Sequence, residues 1–221
     1  RAITADTIWK TGGSPYVLDS DVTVNEGVTL TVNPGVVVKL EYDHRTYSGG
    51  YQYTTRLIVN GVLSAEGTSS QKIYFTSIRD DTAGGDTNGD GDATVPADGD
   101  WGYIFLADSS SDLEYCEVRY GGLRDVNTGS GETWRNYMVW CYQASPSITN
   151  CVLRDANISF GPDPKITVYY QNVSEAVEFE NNTIINGGYG FYYTETAETW
   201  PPLETDISNN TFQNGSQWAV Y

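Results

Sequence analysis

The stretches "LEYCEVR" (113–119) and "ITNCVLR" (148–154) are two copies of one pattern, and "FENNTII" (179–185) and "ISNNTFQ" (207–213) are two more. "IYFTSIR" (73–79) aligns on the same template. Taking the fourth position of each as an anchor gives Thr76, Cys116, Cys151, Asn182 and Asn210. Three residues earlier stand Ile73, Leu113, Ile148, Phe179 and Ile207; two residues later stand Ile78, Val118, Leu153, Ile184 and Phe212. Both columns are apolar, yet they are an odd number of residues apart, which in a straight strand puts them on opposite faces. Both point inward only if the chain bends between them. The anchor therefore marks a corner, where small or amide side chains stack from one repeat to the next.

A second series of strand-like pieces precedes the corners: "GYIFL" (102–106), "NYMVW" (136–140), "ITVYY" (166–170) and "YGFYY" (189–193), with "WAVY" (218–221) as a copy that has no corner after it. Each repeat reads strand, turn, strand, corner, strand, loop. That is one coil of a β-solenoid, whose neighbours pair in parallel around a shared core. No helical periodicity competes with it. Upstream, "YVLDSDVTVNEGVTLTVNPGVVVKL" (16–40) and "RLIVNGVLSAEG" (56–67) are Val-rich strands broken by "NEG", "NPG" and "NG" turns, and they form the first coils. The expected fold class is all-β, one solenoid domain over residues 1–221. The chain stops on a strand, an open edge that invites pairing with another chain, so the expectation is that either a further domain of the same chain follows or something else covers that end. It also opens without Met and without a signal peptide, as an excised or mature segment does.

Anchor spacing falls from 40 residues (76 to 116) to 28 (182 to 210). A compact coil needs roughly two dozen, so the excess leaves the body as loops. The longest interval holds "DTNGDGD" (86–92), which is thereby an insertion on one coil. Its Asp86, Asn88 and Asp90 alternate, Gly91 stands at the sharp-turn position and Asp92 follows, the spacing by which a loop offers oxygens to calcium. The position that usually closes such a shell is Ala97; Asp98 and Asp100 come slightly later, and Asp80 and Asp81, before the loop, are further acids that could join the shell. The expected metal set is Asp86, Asn88, Asp90, Asp92, Asp98 and Asp100, with Ca²⁺ as the cofactor. The alternative is a solvated acidic loop, in which close carboxylates repel by about a kcal/mol per pair.

Composition narrows the partners. Twelve basic residues face 29 acidic ones, a net charge of −17, so the chain lacks the basic footprint that nucleic acid requires. Anionic lipid is disfavoured likewise, and no run approaches the length of a membrane span. A single histidine, His44, excludes a two-His metal motif. Cys116, Cys141 and Cys151 are too few for a disulfide framework. Cys116 and Cys151 should stack on adjacent coils as buried thiols, with a disulfide as the alternative, and Cys141 belongs to the core.

At this point the sequence resembles right-handed parallel β-helix repeat proteins of the pectate-lyase-like superfamily, in their microbial cell-surface and secreted form. The residues that carry the resemblance are "VTLTVNPGVVVKL" (28–40), "LIVNGVLSAEGTSSQKIYFTS" (57–77) and "DDTAGGDTNGDGDATVPADGDWGYI" (80–104), with Asn182 and Asn210 as rungs of an asparagine ladder. The resemblance implies an extracellular or cell-surface location. In the lyase members, an arginine or lysine removes the α-proton of a uronate while calcium neutralises the sugar carboxylate. Arg79, Arg119 and Arg154 each fall three residues after an anchor and should form a column, so they are the candidate bases. The ordinary alternative is that Asp80 and Asp155 pair with them.

Aromatic loops are the remaining handle for binding. Tyr47, Tyr51 and Tyr53, with Trp134 and Trp200 in two other polar loops, are the candidate ligand contacts, since flat rings present apolar area at low entropic cost. The leading expectation is an extracellular calcium-binding module, non-catalytic, acting as a scaffold, in adhesion or in binding surface polysaccharide or another cell-surface component. A calcium-dependent polysaccharide lyase, or another carbohydrate-active enzyme, is the first alternative. A purely structural unit of a surface layer or stalk is the second.

Overall fold

The computed structural model describes residues 1–41, 46–47, 51–52, 54–122, 136–156, 165–195, 205–214 and 217–218. Among them the regular structure is all strand, apart from one short 3-10 turn at Thr11–Gly13. Three parallel sheets of eight, six and seven strands are visited in rotation. The first coil runs Ala2–Ile3, Thr7–Trp9, Tyr16–Leu18 and the second Val22–Val24, Thr29–Val32, Val37–Leu40; the last with a strand in all three sheets ends at Thr183–Ile185, and Thr211–Gln213 adds one more strand to the seven-stranded sheet. Every pairing within these three sheets is parallel and joins one coil to the next, as between Leu57–Val59 and Ile104–Leu106. This architecture fits a parallel β-helix. A separate antiparallel hairpin pairs Thr46–Tyr47 with Tyr51–Gln52.

The inward side chains form one continuous cluster from Trp9 to Tyr193. Leu113, Ile148 and Phe179 are fully buried, and so are Val118, Leu153 and Ile184 beyond the corner. Each contributes about 1.5–3 kcal/mol of burial. The bend that lets both columns face inward is a single residue in left-handed backbone: Tyr115, Asn150, Asn181 and Asn209, with φ between 47° and 56°. A second set of left-handed residues, Tyr120, Asp155, Asn186 and Asn214, turns the chain away from the seven-stranded sheet.

The corner uses its anchors to satisfy the backbone. Asn182 Nδ2 donates to the Ile148 carbonyl of the preceding coil at 2.8 Å, and Asn182 Oδ1 accepts from Cys151 N at 2.9 Å. Asn210 repeats this with Phe179 O and Asn182 N. The thiols take the same places: Cys151 Sγ donates to Leu113 O and accepts from Cys116 N, and Cys116 Sγ donates to Ala65 O. All three cysteines are buried and unbridged. Burial pushes the Cys116 and Cys141 thiols well above their usual range, so they are inert.

One alignment is corrected. Ile73, not Thr76, pairs with Cys116, and Phe75 pairs with Val118. The segment 73–79 is displaced by three residues because the corner before it is not a single left-handed residue. Residues 67–72 make a wider turn there, closed by hydrogen bonds between Thr68 and Gln71. Arg119 does pair with Arg154, but that column continues to Ile185 and, through Thr76, to Lys39; Arg79 lies beyond it.

Tyrosine is a poor choice for left-handed backbone, where its Cβ crowds the carbonyl and asparagine is tolerated. Tyr115 occupies the column in which the next three coils place asparagine. Tyr115→Asn is expected to raise stability by about 0.5–1 kcal/mol, read as a higher urea midpoint at unchanged slope. A lower midpoint would mean that the ring's packing outweighs the backbone strain.

Candidate metal centre and outer aromatic face

The insertion leaves the strand Ile73–Ser77 and re-enters at Ile104–Leu106. It does not project freely. It folds back over the outer face of the seven-stranded sheet, where Gly84 comes close to Pro15, Val37 and Lys39 of the first two coils. A side chain at Gly84 would meet them at 3.3–3.4 Å, and its φ of +72° also favours glycine. Lys39 points outward from its strand yet is fully buried under this loop, and its ammonium donates to the Gly85 carbonyl. Burial lowers the Lys39 pKa, while Asp81, Asp80 and Asp86 oppose that shift.

The second fastening is Asp80, which is fully buried. It receives the Thr76 hydroxyl, the Thr82 hydroxyl and amide, and the Arg119 guanidinium at 2.6 Å. Arg119 also holds Glu117 at 3.1 Å and the Thr82 hydroxyl at 2.9 Å. A third brace is Trp101, fully buried, whose indole N–H donates to the Arg119 carbonyl.

The tip of the insertion is built around Asp86. Its carboxylate accepts from the amides of Gly89, Asp90 and Gly91 at 2.8, 3.2 and 2.9 Å. Gly89 and Gly91 have φ of +73° and +63°, the conformations this tight wrap demands. Asn88 Nδ2 donates to Asp90 Oδ2 and to Thr94 Oγ1, and the Thr94 hydroxyl donates to the same Asp90 oxygen. Among the described residues, Asp81, Asp86 and Asp90 bring carboxylate oxygens within 4.8 Å of one another. Burial, and behind it the charge of Asp86, pushes the Asp81 carboxyl above the usual range, with Lys39 pulling the other way.

The sequence-derived metal set is thus divided in space. Asp86 and Asp90 meet, and Asn88 turns to Asp90. Asp92 is exposed. Asp100, nearly buried, accepts from Ser77 Oγ at 2.6 Å and the Ala97 amide at 3.1 Å, with Arg79 Nη1 at 3.4 Å. Asp98 lies near Asp155 and Asp100, and burial chiefly raises its pKa. The third member of the cluster, Asp81, lies five residues before the motif. Only the doubling back of the chain brings it in, although the run "RDDTAGGD" hinted at it.

The three candidate bases are all ion-paired. Arg79 pairs with Asp100, Arg119 with Asp80 and Glu117, and Arg154 with Asp155 at 2.6 Å. Their guanidinium groups are thus engaged with carboxylates of the chain itself, and at Arg154 the hydrogen bond to Asp155 raises the pKa, the wrong direction for a base.

Of the expected ligand contacts, Tyr47 and Tyr51 sit in the antiparallel hairpin; their side chains, and Tyr53, Trp134 and Trp200, lie outside the described residues. A different aromatic array is visible on the eight-stranded sheet. Phe105, Trp140, Tyr169 and Tyr192 pair in register on four successive coils, on the face opposite the inward Ile104, Val139, Val168 and Phe191. Ring centroids lie 5.0 Å apart for Phe105–Trp140 and 5.1 Å for Tyr169–Tyr192, both edge to face. Tyr103, Tyr137 and Tyr142 flank Trp140, whose indole N–H donates to Gln171 at 3.0 Å. Tyr169 and Tyr137 are buried within this outer cluster, whereas Phe105, Trp140, Tyr142, Tyr189 and Tyr192 keep part of their surface. The alternation in "GYIFL", "MVWCY" and "ITVYY" carries this signal: the residues between the inward positions are aromatic as well.

Comparison of the chain with protein-family models, with curated proteins and with solved structures gave no match.

Proposed function

We infer that the chain is a non-catalytic module of a secreted or cell-surface protein, a right-handed parallel β-helix of the pectate-lyase-like kind, that binds surface polysaccharide along its eight-stranded sheet. The observation that carries this reading is the register of Phe105, Trp140, Tyr169 and Tyr192 on one outer face. Rings one strand apart form a strip of apolar area with polar edges, such as Gln171 beside Trp140, and that mixture suits the faces and hydroxyls of sugar rings. Ion-pairing of Arg79, Arg119 and Arg154 weighs against the lyase alternative. The edge-to-face packing and the burial of Tyr169 favour a second reading, in which the strip mainly stiffens a structural unit of a surface layer or stalk.

A glycan array, run with and without chelator alongside absorbance for unsaturated uronate, separates the readings. The expected result is retention of a polysaccharide without unsaturated product, and a loss of affinity of tenfold or more in Trp140→Ala, about 1.4 kcal/mol. Unsaturated product would establish the lyase. Absence of any retained glycan, or binding unchanged in Trp140→Ala, would leave the structural unit.

A further inference from the structure

We propose that Asp81, Asp86 and Asp90 form a divalent-cation site of calcium type, which fixes the tip of the insertion. The site goes beyond the glycan reading and does not depend on it. Two observations meet here. The first is that the three carboxylates offer oxygens no more than 4.8 Å apart. Ligands on opposite sides of a calcium ion, each about 2.4 Å from it, are separated by about that distance.

The second is independent of the clustering. Asp81 Oδ1 and Asp90 Oδ1 are both buried atoms, and neither has a hydrogen-bond partner among the described residues. Buried polar atoms are almost always satisfied, so an orphaned pair of carboxylate oxygens in one cluster points to a missing partner. Three converging carboxylates repel one another, and a cation between them relieves that repulsion where a neutral partner would not. Lys39, the neighbouring base, attracts Asp81 but makes its hydrogen bond to Gly85 O, and neither orphaned oxygen receives one from it. The candidate ligands are all hard carboxylate oxygens, with no histidine or cysteine among the described residues of the cluster, which favours calcium or magnesium over softer metals. Three carboxylates converging from the protein suit calcium better, because magnesium keeps more of its water.

The position of Asp81 defines what the ion does. Asp80, its neighbour, is clamped to Arg119 and to the Thr76 and Thr82 hydroxyls, so Asp81 stands on a rigid base. Asp86 and Asp90 belong to the glycine-rich tip, held there by local bonds to Gly89, Gly91 and Thr94. An ion across the three joins tip to base. The docking of the insertion on the sheet is already secured by Lys39 and Arg119 without it.

The test is calorimetric titration of the metal-free chain with Ca²⁺, together with hydrogen exchange of residues 89–91 in Ca²⁺ and in chelator. Saturable binding is expected, weakened at least tenfold in both Asp81→Asn and Asp90→Asn and unchanged within twofold in Asp98→Asn. The amides of Gly89, Asp90 and Gly91 should exchange at least tenfold more slowly with Ca²⁺ present. Any one of three results overturns the proposal: no saturable binding, wild-type affinity in the Asp81 and Asp90 variants, or an equal loss in Asp98→Asn. Should a variant fail to fold, the exchange experiment on the unaltered chain decides, and identical rates at residues 89–91 in Ca²⁺ and chelator overturn it.

Discussion

Replacing Asp80 by alanine is expected to cost about 3–5 kcal/mol of stability, the usual penalty for removing one partner from a buried ion pair. Asp80 is fully buried, and the Arg119 side chain is 9% exposed. Without Asp80, the guanidinium keeps Glu117 and the Thr82 hydroxyl but loses its shortest contact, and the Thr76 hydroxyl loses its acceptor. Equilibrium urea unfolding of the two proteins gives the difference directly. A double variant, Asp80→Ala with Arg119→Met, should recover part of the loss, because it removes the stranded charge as well. A single-variant loss below about 1 kcal/mol would show that water reaches Arg119 and that the clasp is weaker than its geometry indicates.

The second large effect is expected at the corner ladder. Asn182→Ala leaves the Cys151 amide without its partner inside the core and takes from the Ile148 carbonyl the side-chain donor it has beside the sheet ladder. One orphaned backbone amide costs about 1–3 kcal/mol, which is the expected loss, measured by the same unfolding. Cys151→Asn is the informative companion. The thiol there already bonds to Leu113 O and to the Cys116 amide in the manner of an asparagine, at 3.3 and 3.4 Å. An amide should fill both roles more strongly, so Cys151→Asn is expected to leave stability unchanged or to raise it. A loss as large as that of Asn182→Ala would mean the thiol packing, and not the hydrogen bonding, fixes that rung.

These two sites differ in how far they could be read from sequence. The ladder was legible because its signal is local: Asn181-Asn182 and Asn209-Asn210 pair a left-handed residue with its anchor, and apolar residues flank them at fixed distances. The same template misplaced Thr76, because residues 67–72 replace a one-residue corner with a wider turn, and nothing in "IYFTSIR" reveals what precedes it. In the insertion, the spacing of Asp86 and Asp90 was enough to bring them together. Asp81, and the separation of Asp98 and Asp100 from the tip, depend on a chain reversal that no spacing rule contains. The role of Lys39 was hidden for the same reason: its contact with Gly85 spans 46 residues. The aromatic strip could have been found, since it needed only the strand alternation already in hand to be read for the outward residues too.

The path of the insertion has a consequence for how the protein comes apart. In a solenoid each coil touches only its neighbours, so unfolding can fray from either end and stop between any two coils, like an Ising chain. Here a loop emitted after the third coil bonds to Lys39 of the second and Arg119 of the fourth, and brings Gly84 near Pro15 of the first. That is a coupling beyond nearest neighbours. The first four coils are therefore expected to melt as one cooperative block rather than to fray coil by coil from the N-terminal end.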